Sequence, residues 1–198
     1  MNITLRNLLL LFSVVCTLTA FAPVKSNFSA AEQQQISIAT PKLFALSNTF
    51  NIELGNLSTN EYTFPLPVGK AIRQADNRLE ITSTEGDAVK AMFAGTVRLA
   101  RKHLEYGNVI VVRHQNGLET VYANNAQNLV DVGDVVKAGQ TIAIVGSHEG
   151  KTYLNFWVMV NGARINPETI LSLKSHKLHK QTLQCTKKDG GMVEVKTL

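Results

Sequence analysis

Residues 94–125 read AGTVRLARKHLEYGNVIVVRHQNGLETVYANN, three runs rich in β-branched and aromatic residues parted by two turn signals. Gly107-Asn108 separates the first run from the second. Asn116-Gly117 separates the second from the third, and both its residues tolerate positive φ, the chemistry of a type I′ hairpin. The pattern continues outward as RLEITST (78–84), AVKAMF (88–93), QTIAIVG (140–146) and YLNFWVMV (153–160), each bounded by Gly, Asp or Asn. Residues 61–172 are therefore expected as one all-β domain without internal repeats. Helix is scarce: PETILSL (167–173), with proline at the first helical position, is expected to form at most two turns.

The strand at Lys151–Val160 repeats every two residues. It places Leu154, Phe156, Val158 and Val160 on a core face and Tyr153, Asn155, Trp157 and Met159 on the other. Asn161-Gly162 again signals a tight turn.

The flanks are different in kind. Residues 1–25 carry Arg6 and then an apolar run from Leu8 to Ala22, the form of a signal peptide or an uncleaved N-terminal anchor. Cys16 lies inside that run without a lipobox. The expected location is the periplasm or the extracellular envelope, with membrane contact only through this segment if it is kept. Once it is removed, Cys185 is the sole cysteine, so no intrachain disulfide supports the fold. Residues 26–60 are polar, with EQQQ inside them, and read as a spacer with one short paired strand at TFNIEL (49–54). Residues 173–198 form a basic tail, either loose or a hairpin around Asp189-Gly190.

The net charge of +5 divides unevenly. Residues 1–25 hold two basic residues and no acid, and residues 173–198 hold six lysines against two acids. That leaves 12 basic and 13 acidic residues for 26–172. A nearly neutral folded part lacks the broad basic footprint that nucleic acid requires.

Over residues 64–171, the stretch quoted above, VGDVVKAGQTIAIVGS (132–147) and YLNFWVMVNGARINP (153–167) resemble, in order and spacing, the lysostaphin-type or LytM-type zinc endopeptidases that cut peptidoglycan cross-links. The resemblance implies a two-sheet antiparallel barrel-sandwich, the duplicated hybrid motif, with a groove across one sheet. That family binds zinc through a histidine, an aspartate and the second histidine of a His-x-His pair; other histidines polarise the attacking water. Carried onto this chain, those positions fall at Asp76 (or Asn77), Glu80, Asn124, Tyr153 and Asn155. Two carboxylates and an amide are hard oxygen donors, unlike the imidazole-rich sets of catalytic zinc. An amide does not titrate, and a phenol, with a reference pKa of about 10, does not replace imidazole as a base near neutrality.

The resemblance therefore implies a catalytically inactive member without a metal cofactor, in which these five residues form a binding groove. Degenerate members of this kind bind and activate peptidoglycan amidases or scaffold envelope complexes. The expected partners are a peptidoglycan hydrolase, a segment of another envelope protein, or peptidoglycan itself. His114 and His148 are accessory candidates at the groove; His103 lacks ligand spacing, and His176 and His179, which share an HKLH spacing able to chelate a metal adventitiously, are expected to be solvated in the tail. Two alternatives stand beside this reading. One is an active zinc endopeptidase with a rearranged metal site. The other is a biotinyl or lipoyl carrier, since GDVVKAGQTIAIV (133–145) resembles that half-motif, with Lys90 or Lys151 as the modified residue.

Overall fold

The structure, a computed structural model, describes residues 27–198. The signal or anchor expected over residues 1–25 lies outside the described residues. A single α-helical turn and a half, α1 (Ala30–Gln34), precedes β1 (Thr49–Glu53). The strands expected from the sequence then follow: β2 (Lys70–Arg73), β3 (Leu79–Thr82), β4 (Ala88–Lys90), β5 (Gly95–His103), β6 (Gly107–Arg113) and β7 (Leu118–Asn128). Beyond them come β8 (Val135–Val136), β9 (Thr141–Val145), β10 (Ser147–His148), β11 (Lys151–Val160) and β12 (Ala163–Ile165). The chain closes with β13 (Thr182–Lys187) and β14 (Val193–Thr197).

The large antiparallel sheet runs β2-β3-β11-β7-β6-β5-β8, with β4 joined through β9 to β7. β7 makes the assembly sandwich-like. Its first half pairs with β6 and β11; a register shift between Asn125 and Gln127 then lets its second half pair with β9 in the other layer. The sheet does not close into a barrel, because β2 and β8 remain at its ends. Between the layers, Leu79, Ile81, Ile110, Tyr122, Leu154, Phe156 and Val158 meet Val89, Ile142 and Val145, all buried. Each large apolar side chain so buried contributes about 1.5–3 kcal/mol.

The two turns differ from one another. Asn161 and Gly162 take φ of 52° and 82°, the expected type I′ pair, between β11 and β12. At Asn116-Gly117 only Gly117 is left-handed, with φ 86°. His114 N donates to Leu118 O at 2.9 Å and Gly117 N to His114 O at 3.3 Å, so this loop has three residues. PETILSL is likewise shorter than two helical turns: a 3₁₀ turn covers Pro167–Thr169, and the chain then extends so that Ile170 and Leu171 enter the core.

The segment expected as a polar spacer folds back across the sheet as a strap. Ile36 packs with Leu99, Val111, Val121, Trp157 and Met159, so the second face of β11 is buried as well as the first. A buried ionic network fixes it there. The Arg98 guanidinium is fully buried and spends all five N–H donors: Nε and Nη2 on Glu119 (2.6 and 3.0 Å), the others on the strap carbonyls of Glu32, Gln35 (2.8 Å) and Ile36 (2.7 Å). Arg113 joins Glu119 (2.8 Å) to Glu32 (2.7 Å), which balances two guanidinium charges with two carboxylates. Burial pushes the Glu32 carboxyl up, but hydrogen bonds from Arg113 and from the Ser29 cap outweigh it, leaving its pKa below the ordinary value. Further along, Thr40 N donates to Asn161 Oδ1 at 3.0 Å.

The basic tail is folded too. β13 pairs with β14 in a hairpin and with β1 on its other edge, forming a separate three-stranded sheet. Cys185 is buried between them among Ile52, Leu54 and Leu183.

Candidate functional site

Three neighbouring strands bring most of the expected residues to one end of the large sheet. Glu80 of β3 lies opposite Asn155 of β11, Asn155 lies opposite Ala123 of β7, and Tyr153 lies opposite Thr82. Asn124 follows Ala123 with φ 63°, a left-handed conformation that asparagine tolerates better than most residues. Its amide donates to Tyr153 O at 2.8 Å and more weakly to Gly146 O at 3.4 Å, tying β7 to β11 and to the turn after β9. Those donors serve the backbone, so Asn124 builds the site's floor.

Asn124, Tyr153 and Asn155 line a cavity of about 720 Å³ together with His148 and the β5–β6 turn, and Gln34 of the strap forms part of its wall. The two carboxylates do not line it. Asp76, in the turn before β3, is held by Arg164 at 2.6 Å and Arg78 at 3.3 Å. Burial pushes its carboxyl up, but the Arg78 backbone N–H and the two guanidinium charges outweigh that and hold it below the ordinary value. Asn77, the neighbouring alternative, accepts from Arg73 at 3.4 Å. Glu80 is ion-paired with Lys151, whose ammonium also sits 5.6 Å from the Tyr153 ring.

The accessory histidines part company. His148 is exposed at the cavity's edge, 3.9 Å from Glu149. His114 is buried at a different cavity, where Nδ1 faces Ala94 O (2.9 Å) and Nε2 faces Thr120 Oγ1 (2.7 Å). Thr120 in turn meets Tyr122 OH (2.9 Å), which accepts from Met92 N (2.8 Å). The Ala94 carbonyl can only accept, so the proton of a neutral His114 imidazole sits on Nδ1. Desolvation lowers the His114 pKa to about 4, a direction opposed only by the bond to Ala94. In the tail, His176 stacks on Phe64 with ring centroids 3.8 Å apart.

Sequence reasoning missed the cationic side of the cavity: Arg78, Arg101 and Lys102, with His103 stacked on Tyr106 (5.1 Å) and Tyr106 tilted against Trp157 (5.4 Å). The signal was available in ARKHLEY, a basic run at a turn between two strands.

A zinc ion does not suit this donor set. Among the described residues, no group of three or more His, Cys, Asp or Glu is arranged to hold a metal. At the positions where the resemblance puts ligands stand an amide and two carboxylates, each carboxylate already paired with Lys or Arg. The carrier alternative finds no free lysine at either expected position: Lys90 Nζ donates to Thr141 Oγ1 at 2.7 Å, and Lys151 is bound to Glu80.

The described residues thus form an antiparallel, sandwich-like β-domain with a groove at the end of three strands. Residues 75–167 match peptidase family M23. The murein hydrolase activator EnvC of Escherichia coli (strain K12) is 42% identical over 90 residues, covering 44% of this chain and 22% of the relative. The murein hydrolase activator NlpD of the same organism is 36% identical over 91 residues, covering 45% and 24%. The matched region thus spans about a fifth to a quarter of these relatives' length. In its solution structure, lysostaphin, a Staphylococcus simulans peptidase, superposes with a TM-score of 0.52 at 24% identity, covering 62% of this chain and 58% of that one, a likeness of fold alone.

Proposed function

We propose that this chain is exported and acts in the cell envelope by binding rather than by hydrolysis, as a regulator or activator of a peptidoglycan hydrolase. Its groove receives a segment of that partner, and it works without a metal cofactor. The observation that carries this reading is the state of the degenerate centre. Asp76 and Glu80 are neutralised by Arg78, Arg164 and Lys151, and the remaining positions offer no imidazole to a metal or a proton. The activators EnvC and NlpD among its relatives support the same role. No helix among the described residues is long and apolar enough to cross a membrane.

The test is dye release from labelled peptidoglycan by a purified amidase, with and without the full chain. Stimulation by a chain that releases nothing alone is the expected result, and bulky or charge-reversing changes at Tyr153, Asn155 or Glu80 should weaken it while leaving the fold intact. Chelator-sensitive release by the chain alone, with stoichiometric zinc, would replace this reading with that of an active endopeptidase. Salt-sensitive cosedimentation with peptidoglycan and no effect on any hydrolase would replace it with direct wall binding.

A further inference from the structure

Resting on the reading of the groove as a partner site, we infer that its occupant is an acidic, amphipathic peptide segment of a partner protein. The inference starts from charge. The cavity is lined by three permanent cations, Arg78, Arg101 and Lys102, against a single acid, Glu105. Among the described residues Arg101 and Lys102 make no ion pair, and Arg101 spends only Nε, on Lys102 O at 3.4 Å. Arg78 is the most committed of the three: its side chain is 27% exposed and its Nε faces the Asp76 carboxylate at 3.3 Å, so the unspent cations are Arg101 and Lys102. Guanidinium donors presented in a concave site select carboxylates in bidentate geometry.

The second observation is apolar. Leu104, at the tip of the β5–β6 turn between Lys102 and the Tyr106 ring, lines the same cavity and is fully exposed. A large apolar side chain standing free beside unspent cations matches a segment that carries carboxylates and an apolar residue together. The cavity floor adds no opposing charge, since Asn124, Tyr153 and Asn155 are neutral donors and acceptors. A neutral glycan strand offers no carboxylate to these cations; the stem peptides of peptidoglycan do, and competition with soluble fragments separates them from a protein segment.

The test uses the full chain and a short fluorescein-labelled peptide rich in Glu with one Leu, its Gln counterpart, and its Leu→Ser counterpart, read by fluorescence anisotropy. The Glu peptide should bind about tenfold or more tighter than the Gln peptide, and the difference should shrink as salt is raised. Arg101→Gln and Lys102→Gln, both at exposed positions where folding is not at stake, should each weaken binding about three- to tenfold, as should Leu104→Ser. Lys137→Gln, on the second cavity, should leave binding unchanged. Equal binding of the Glu and Gln peptides, or equal losses from Lys137→Gln and Arg101→Gln, would overturn the inference. Displacement of the probe by soluble peptidoglycan fragments as effective as unlabelled Glu peptide would overturn the commitment to a protein segment. If a hydrolase is still fully stimulated by the Arg101→Gln/Lys102→Gln chain, the acidic segment is wrong while the regulator reading stands.

Discussion

Replacing Arg98 by Met tests whether the strap is part of the folded unit. Methionine keeps much of the apolar volume but removes the charge and all five donors, leaving Glu119 with Arg113 alone and depriving the carbonyls of Glu32, Gln35 and Ile36 of their partner. Breaking one side of a buried ion pair costs about 3–5 kcal/mol. Each buried carbonyl stripped of its donor adds about 1–3 kcal/mol unless water reaches it. Release of the strap caps that sum, because a lifted strap rehydrates its own carbonyls. We therefore expect a net loss of about 3–5 kcal/mol, a large share of the 5–15 kcal/mol typical of a domain. Trp157, the only tryptophan, lies in the cluster that Ile36 completes, so its fluorescence reports strap and core together. In urea titrations the variant should show a lowered midpoint and a red-shifted native emission. Glu119→Gln should give a loss less than additive with that of Arg98→Met. A loss below about 1 kcal/mol with native emission unchanged would refute the reasoning, since a guanidinium buried this deeply cannot then be what holds the strap.

Stability should also depend on pH through His114. Its buried pKa of about 4 lies below the about 6.5 of an exposed histidine, so on acidification the unfolded chain takes up the proton first. The stabilisation is complete above about pH 6.5, declines as pH falls below it and levels off near pH 4, a span of about 3 kcal/mol. Urea midpoints across that window should fall in the native chain and fall less in His114→Gln. Gly162→Ala should cost about 1–3 kcal/mol, because a Cβ at φ 82° would stand 2.7 Å from Ile38 O in the strap; thermal unfolding of the two proteins measures it. Metal analysis of the purified chain should find zinc well below stoichiometry, and a chelator should leave its Tm unchanged.

The fold was legible because its strands carry their own signals: β11 alternates, β5 to β7 are β-branched, and Asn161-Gly162 makes the turn its chemistry demands. The strap was not legible. Its composition is that of a linker, and what holds it is Arg98 bonding to backbone carbonyls, which every sequence possesses. Arg98 within VRLA and Glu119 within LETV, charges set inside apolar strands, were the only trace of that network. At the site, the register sets Glu80 of β3 and Ala123 of β7 on either side of Asn155 of β11, with Asn124 next along the chain. The partners that neutralise the acids were invisible because they come from elsewhere: Arg164 lies 88 residues from Asp76, and Lys151 lies 71 from Glu80. Asn116-Gly117 failed as a type I′ turn because the His114–Leu118 pairing adds one residue to the loop.

The clasp of β1 against β13 sets an order on biogenesis. Glu53 meets Thr182 across 129 residues, so β1 has no strand partner until residue 182 has been delivered. Such distant closure makes acquisition of the native state slow. A product terminated before residue 182 would expose an unpaired β1 to any neighbouring chain, which makes β13 a seal against self-association.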